Sequence, residues 1–353
     1  MTAVSVCIPT YNGSDFLASS LDSALAQSFE DVELIICDDC STDDTTTIAE
    51  QYAKRDSRVR LYRNPVNLGL VENWNHTIAK ASGEWIKLLF QDDILYPDCI
   101  SELFRTARQT RGLLIASFRD FIYERKLGSE GDTFYDWHAK RIANLYPRSK
   151  LTAEEIATLA CENIGLNLVG EPPATLIHRS VFDRVGYFNS SLAQRSDTEF
   201  WIRSGIRFGV EMVRHPLVAF RVHAASASAI NKTTRDYADR WLDPLIILHQ
   251  YLFDPIYAPL RKVAKSNGSW PQLRRQFWDK AHDAKRLAWD ARAAEDEKPW
   301  QEWKRTAEVY SRLERIPFRW QLSRKYRRAM RRLGHAFGTR REEREPGDRS
   351  DQP

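Results

Sequence analysis

The stretch Glu84-Trp85-Ile86-Lys87-Leu88-Leu89-Phe90-Gln91-Asp92-Asp93 decides how the chain is interpreted. A short apolar run of this kind predicts a buried strand of a parallel sheet, and here it ends in two adjacent carboxylates. In open α/β sheets, ligands bind at the carboxyl ends of the strands. Vicinal carboxylates repel each other, so one interpretation is a divalent metal that carries a phosphorylated substrate. The other is a solvated turn whose acids cap the next helix, since Pro97 suits a first helical turn.

Composition indicates a globular protein with one large domain and an addition. The chain has 353 residues, 42% of them apolar, and a formal net charge of +4, which gives no indication of nucleic-acid binding. No apolar run of about 20 residues predicts a transmembrane helix, and the first residues lack a secretory signal pattern. The five cysteines are expected to be free thiols. The cytoplasm is therefore the expected location.

Predicted strands alternate with predicted helices through the first 117 residues. This alternation predicts an α/β fold with a mostly parallel central sheet flanked by helices. Four of the strands end in polar clusters, which right-handed crossovers would bring to one edge of the sheet. The clusters are Pro9-Thr10-Tyr11-Asn12, Asp38-Asp39, Arg63-Asn64 and Gln91-Asp92-Asp93. Such an edge predicts a site of nucleotide size.

Two common phosphate-binding motifs are missing from the sequence. No Gly-x-Gly-x-x-Gly follows the first strand, and no P-loop motif occurs anywhere. A diphosphate would then be held mainly by a metal on the carboxylates, which strengthens the metal interpretation of Asp92 and Asp93.

Several ordered motifs make the chain resemble the family 2 glycosyltransferases, which have the GT-A fold and use nucleotide-diphospho-sugars. In the first 115 residues these are VSVCIPTYN from Val4, LIICDDCSTD from Leu34, Asn67-Leu-Gly69 with Asn75, and Gln-Asp-Asp. The resemblance resumes with the segments Arg179 to Phe188, Ser196 to Arg203 and Phe220 to Ser228.

The resemblance also implies roles for single residues in binding the donor. One group would bind the nucleotide-sugar, with Asp39 accepting a hydrogen bond from the base and Asp92 holding the sugar or ribose: Pro9, Thr10, Tyr11, Asp39, Asn67 and Asp92. Asp93 and His223 would hold Mg²⁺ or Mn²⁺ at the diphosphate. The first acid of the family's Asp-x-Asp motif is Gln91 here, which is a departure.

Asp197 falls at the position of the family's catalytic base, which would accept a proton from the acceptor hydroxyl. The resemblance implies direct displacement with inversion and no glycosyl-enzyme. Ser196 precedes it where an acid is usual. Glu199 is a rival, although residues two apart on a helix cannot both face one cleft. Arg203 is expected to hold these carboxylates, and Trp201 is expected in the core.

The expected organisation is a GT-A domain at 1–230, with a nucleotide-sugar half at 1–115 and an acceptor half at 116–230. A helical extension would follow at 231–338, and a disordered tail at 339–353. Within 116–230, the aromatic-rich residues 123–151 suit sugar stacking or simple loop exposure. Gly170 to Ala174 cannot form a regular helix and is expected to be a loop that lines the acceptor side of the cleft. In the extension, residues 318–337 predict a basic amphipathic helix at an anionic membrane surface, with a solvated or protein-binding helix as the alternatives.

These features together predict an inverting glycosyltransferase, peripheral on the inner face of the plasma membrane. Its acceptor would be a surface-polysaccharide or lipid-linked glycan precursor. Two alternatives remain at this level: a catalytically degenerate scaffold that binds glycan or nucleotide-sugar, and a sugar-phosphate nucleotidyltransferase. The second would usually carry a glycine-rich basic loop after the first strand, where this chain has Pro-Thr-Tyr-Asn-Gly.

Overall fold

The computed structural model describes residues 2–124 and 129–313. Two compact units divide the chain, Met1–Phe277 and Trp278–Pro353. The predicted basic helix at 318–337 and the predicted tail at 339–353 lie outside the described residues. The division into 1–230 and 231–338 stays a prediction, with the first helices after residue 230 belonging to the first compact unit.

Nine strands and thirteen helices are found in the described part of the chain. The strands are β1 (Val4–Thr10), β2 (Val32–Asp38), β3 (Val59–Arg63), β4 (Trp85–Leu88), β5 (Ile94–Leu95), β6 (Leu114–Tyr123), β7 (Lys150–Leu151), β8 (Thr175–His178) and β9 (Val210–Val222). The helices of the first 200 residues are α1 (Ser14–Leu25), α2 (Thr45–Arg55), α3 (Leu70–Lys80), α4 (Cys99–Thr110), α5 (Ser129–Leu145), α6 (Ala153–Glu162), α7 (Arg179–Val185) and α8 (Ser196–Phe208). The later helices are α9 (Ala227–Thr234), α10 (Asp243–Phe253), α11 (Ala258–Ser266), α12 (Trp270–Ala293) and α13 (Lys298–Val309).

One sheet in the first unit organises the fold, with strand order β3-β2-β1-β4-β8-β6-β9-β5 and β7 paired to β9. The first four strands are parallel, so their carboxyl ends share one edge as the sequence predicts. The second half differs from a mostly parallel sheet, because β8 enters antiparallel between β4 and β6. The sheet is therefore mixed, and its parallel half carries the polar strand ends.

Buried apolar side chains on both faces of β1 and β2 explain why these strands read as continuous apolar runs. Leu17 and Leu21 of α1 and Leu103 of α4 pack into the same cluster as Ile8 and Leu34. This packing fixes the strand ends from which the site is built.

The region at 123–151 contains a helix where the sequence suggested only an irregular aromatic-rich insertion. Its spacing explains this, because His138 and Ile142 lie four residues apart, and Tyr146, the residue after the helix, continues the spacing. Ile142 and Tyr146 are buried, whereas Trp137 is 54% exposed. Within 2–124 and 129–313, no helix combines the length and apolar character needed to cross a bilayer.

Candidate functional site

The carboxyl ends of β1 and β2 form the side of the site predicted for the nucleotide. Asp39 is buried, and its Oδ1 accepts hydrogen bonds from Asn64 Nδ2 and the Leu68 amide, both at 2.8 Å. Its Oδ2 accepts one from the Gly69 amide at 2.9 Å. Asp39 therefore fixes the turn before α3. A carboxylate accepts about four hydrogen bonds, so acceptor capacity remains for a base.

The other predicted nucleotide residues lie at the same edge with different exposure. Asn67 is exposed and donates from Nδ2 to the Asp39 carbonyl at 3.1 Å. Tyr11 is 48% exposed, which leaves a face free for stacking, whereas Pro9 and Thr10 are buried within β1. Direct contact with a base is thus open to Tyr11, while Pro9 and Thr10 shape the strand end behind it.

Gln91 joins the loop after β4 to the loop after β1. Its Oε1 accepts a hydrogen bond from the Tyr11 amide at 2.8 Å, and its Nε2 donates to the Tyr11 carbonyl at 3.0 Å. A carboxylate has no donor at neutral pH and could make only the first of these bonds. The glutamine in place of the usual acid is therefore a structural connection between two site loops.

Asp92 and Asp93 meet the end of β9. Asp93 is buried, and its Oδ1 accepts a hydrogen bond from the Arg221 amide at 2.9 Å. Its Oδ2 has no hydrogen-bond partner among the described residues, and burial together with the Asp92 charge raises its pKa well above the ordinary value. Asp92 has a more accessible side chain, and its Oδ2 lies 2.9 Å from His223 Nε2. The predicted metal and donor residues are thus brought together.

The side-chain atoms at this point are of the kinds that bind Mg²⁺ or Mn²⁺, but they do not form a complete set of metal ligands. Carboxylate oxygens and an imidazole nitrogen are ligands for such ions, and the unpartnered Asp93 Oδ2 is an atom that a cation would satisfy. Within the described parts of the chain, no group of three or more His, Cys, Asp or Glu side chains is arranged to hold a metal ion. Asp92, Asp93 and His223 could therefore hold a metal only together with oxygens from a ligand.

Asp197 stands in the first turn of α8. Its Oδ1 accepts a hydrogen bond from the Thr198 amide at 2.6 Å, and its Oδ2 accepts one from Asn167 Nδ2 at 3.3 Å. Burial, reinforced by the charge of Glu171, raises the pKa of Asp197 to about 7, against the opposing effects of the Thr198 hydrogen bonds and of Arg119. A carboxylate with a pKa near neutrality is suited to accept a proton from a hydroxyl group.

Glu199, the rival candidate, is committed elsewhere. Its two oxygens accept hydrogen bonds from Arg203 Nε at 2.8 Å and Nη2 at 2.9 Å, and Tyr257 donates its hydroxyl proton to Oε1. The side chain of Glu199 is fully buried. Arg203 thus holds Glu199, and the helix directs Asp197 elsewhere, as the two-residue spacing predicts.

Three residues that act on Asp197 were not singled out individually from the sequence, namely Asn167, Glu171 and Arg119, although Glu171 belongs to the loop expected on the acceptor side. Glu171 forms a salt bridge with Arg119, and Arg119 Nη2 lies 3.2 Å from His138 Nδ1. The Glu171 charge contributes to the raised pKa of both Asp93 and Asp197. The available signal was the segment Gly170 to Ala174, which the sequence excludes from a regular helix and which ends in a short 3₁₀ turn at Pro172–Ala174.

Comparison with known proteins gives matches over most of the chain. The model of a family described as Glycosyl transferase family 2 matches residues 5–165. Uncharacterized protein MT1568 of Mycobacterium tuberculosis (strain CDC 1551 / Oshkosh) is 30% identical over 260 residues, 72% of this chain and 76% of that protein. Uncharacterized glycosyltransferase RP339 of Rickettsia prowazekii (strain Madrid E) is 27% identical over 246 residues, 67% of this chain and 70% of that protein.

A solved structure is similar in fold over nearly the whole chain. TarS 1-349 of S. aureus, in a crystal structure in complex with UDP-GlcNAc, superposes with a TM-score of 0.54 at 15% sequence identity. The similarity covers 88% of this chain and 92% of TarS 1-349. At this sequence identity, the similarity shows the fold alone.

Proposed function

The chain belongs to glycosyl transferase family 2, and on that premise we propose that it is an inverting, metal-dependent transferase that moves a sugar from a nucleotide-diphospho-sugar to an acceptor hydroxyl. The observation that carries this proposal is Asp197, a carboxylate with a pKa of about 7 whose charge environment includes Glu171, the same group that acts on Asp93. This shared neighbour supports the proposal that a base for the acceptor and a carboxylate pair for the diphosphate act in one site.

In the proposed reaction, Asp197 accepts the proton of the acceptor hydroxyl as the oxygen attacks the anomeric carbon of the donor. One carbon–oxygen bond forms to the acceptor while the bond to the diphosphate breaks on the opposite side, so the anomeric configuration inverts. The nucleoside diphosphate leaves with the bonding electrons. Tyr11 and Asp39 would hold the base, and Asn67 would support the loop beside it.

The metal, when bound, supplies positive charge that stabilises the leaving diphosphate. The sequence assigns Asp93 and His223 to the metal and Asp92 to the donor. We propose that Asp92 shares the metal with His223, since its side chain is more accessible than that of Asp93 and its Oδ2 lies 2.9 Å from His223 Nε2. Asp93 would contribute its unpartnered Oδ2, while its Oδ1 anchors β9 through the Arg221 amide.

The test is transfer by the purified protein across a panel of nucleotide-sugars with Mn²⁺, Mg²⁺ or EDTA, with the product configuration read by NMR. We expect metal-dependent turnover with an inverted product, and Asp197→Asn should abolish transfer while the affinity for the donor stays close to wild type. Loss of donor binding in Asp197→Asn would contradict the role of base. A donor that binds equally with and without metal, and is never turned over, would favour the binding scaffold.

The acceptor class and location are proposed from the sequence. A glycan precursor on a lipid at the cytoplasmic face of the plasma membrane would explain the basic amphipathic segment 318–337. Radiolabelled donor supplied to membranes with and without extracted lipid acceptor would test it. Transfer to water-soluble oligosaccharides alone would contradict a lipid-linked acceptor.

A further inference from the structure

A turn formed by Asn167 to Gly170 contacts α8 at two points that lie one helical turn apart. Asn167 Nδ2 donates to Asp197 Oδ2 at 3.3 Å, and Trp201 Nε1 donates to the Gly170 carbonyl at 2.9 Å. Residues four apart on a helix share a face, so Asp197 and Trp201 present one surface to this turn. The turn is therefore docked on the element that carries the proposed base.

Asn167 also fixes the shape of the turn itself. Its Oδ1 accepts hydrogen bonds from the Gly170 amide at 2.7 Å and the Val169 amide at 3.1 Å, and its Nδ2 donates to the Gly170 carbonyl at 3.2 Å. Gly170 has φ +110°, a conformation that favours glycine, and a Cβ there would lie 2.2 Å from Arg119 Nη1. A single amide group thus connects the turn to Asp197.

The next residue, Glu171, brings charge to the same place. It pairs with Arg119 of β6, and the two side chains are 17% and 2% exposed. Arg119 Nη2 contacts both His138 Nδ1 of α5, at 3.2 Å, and Glu171 Oε1, at 3.3 Å. Before α8, Arg195 contacts the Gly165 carbonyl and lies 3.5 Å from Asp239. Of these charges, Glu171 raises and Arg119 lowers the pKa of Asp197.

We propose that the segment Asn167 to Glu171 is the positioning device of the catalytic base, in which Asn167 orients the Asp197 carboxylate and the Glu171–Arg119 pair sets the charge beside it. This inference rests on the proposed function, since it takes Asp197 as the base. Asn167, Glu171 and Arg119 act through Asp197 and are positioning residues.

Substitutions at the two positions have opposite consequences. Asn167→Ala removes a donor that stabilises the Asp197 anion, so the pKa of Asp197 rises, and Asn167→Asp adds a like charge, so it rises further. Glu171→Gln removes a negative neighbour and releases Arg119 from its partner, so the pKa of Asp197 falls. A merely structural disturbance would not move the two series in opposite directions.

The experiment uses the full-length protein and follows the Asp197 carboxyl by NMR with ¹³C-labelled aspartate, assigned by the signal lost in Asp197→Asn. We expect the titration midpoint to move up by roughly one pH unit in Asn167→Ala, further up in Asn167→Asp, and down in Glu171→Gln. The acid limb of kcat/KM should shift in the same order, with the KM for the donor unchanged. Asn163→Ala is the matched control, because the Asn163 side chain contacts Arg141.

Midpoints that stay at the wild-type value in all three folded variants would overturn the inference. So would shifts of one sign in Asn167→Ala and Glu171→Gln. Because the titration needs no turnover, the inference is tested even if no donor is found. A titrating Asp197 in a protein whose Asp197→Asn variant remains fully active would instead overturn the proposed function.

Discussion

At the scale of single residues, Gln91 shows that a residue that departs from a family motif can make structural contacts of its own. Gln91 replaces the first acid of the motif, and its amide makes two hydrogen bonds to the Tyr11 backbone. Gly13 supports this arrangement, since a Cβ at that position would lie 2.2 Å from Gln91 Cδ. The glutamine and the glycine thus act as a pair that holds two site loops together.

Gln91→Glu, which restores the usual acid, should therefore lower stability instead of improving the site. The change removes the donor facing the Tyr11 carbonyl and adds a charge beside Asp92 and Asp93, with an expected loss of about 1 kcal/mol in the free energy of unfolding. Urea unfolding measures it, with Gln51→Glu on the exposed face of α2 as the control for added charge.

Gly13→Ala provides an independent break of the same contact. Its methyl group would displace the Gln91 side chain while Gln91 itself stays intact. The losses in Gly13→Ala and Gln91→Ala should be strongly non-additive in the double variant, because each removes the same connection. Additive losses, or a Gln91→Glu protein as stable as wild type with tighter metal binding, would contradict the proposed role.

The sequence identified the side chains that stand at strand or helix ends and missed those that act across large separations. Asp92, Asp93 and Asp197 can be picked out from the sequence because they are acids at the predicted ends of strands or helices. Arg119 and Glu171 are 52 residues apart, and Asn167 and Asp197 are 30 apart. Such pairs depend on how β8 and α8 pack, which no local pattern encodes.

At the scale of elements, helix α8 carries two acids that lie in different surroundings. Asp197 faces the docked turn, and Glu199 lies against Arg203 and Tyr257 in the interior. Arg203 also donates to the carbonyls of Val185 and Tyr187, so it ties the end of α7 to α8. Glu199 therefore anchors the helix, and Asp197 is left for the role that we propose for it.

Glu199→Gln should destabilise the protein, because it leaves the buried Arg203 without its compensating charge. Removing one partner of a buried pair costs about 3–5 kcal/mol, which urea unfolding would detect. Asp183→Asn on the exposed side of α7 is the control. If Glu199→Gln kept wild-type stability but lost all transfer, Glu199 would replace Asp197 as the candidate base.

The alternation of strands and helices was predictable to about Thr110, because each element there has a clear apolar period and a turn signal. Beyond β6 the prediction weakened. Helix α5 was not predicted, because polar and aromatic side chains obscure its four-residue spacing. Strand β8 was not predicted either, because it is only four residues long. The antiparallel direction of β8 between β4 and β6 is determined by tertiary packing, which leaves no local pattern in the sequence.

At the scale of the whole molecule, the two halves of the sheet divide the proposed chemistry. The parallel strands β1 to β4 bring the nucleotide and diphosphate residues to one edge. The return of β9 delivers Arg221 and His223 to Asp93 and Asp92, and the segment before β8 delivers Glu171. On the proposed function, the mixed sheet would let donor-binding and acceptor-activating groups share a site.

The second unit carries aromatic and basic groups that bear on membrane attachment. Trp289 is 56% exposed, its ring centroid lies 5.4 Å from that of Trp300, and the Arg292 guanidinium lies within 5.9 Å of both rings. Tryptophan and arginine together suit the headgroup level of a bilayer. The segment 318–337, which follows along the chain, is basic and contains no acid.

We therefore expect the protein to bind vesicles that contain anionic phosphatidylglycerol and to bind pure phosphatidylcholine vesicles only weakly. Deleting 316–353 should weaken co-sedimentation strongly, and Trp289→Ala should weaken it moderately, since one removes the electrostatic attraction and the other an interfacial ring. Raising the salt concentration should reduce binding by wild type, because exposed charges are screened.

Deleting 339–353 alone, a stretch of mixed charge, is the matched control and should leave binding unchanged. Equal binding by wild type and the 316–353 deletion would refute attachment through this segment, and a protein partner recovered on the same segment would replace the bilayer.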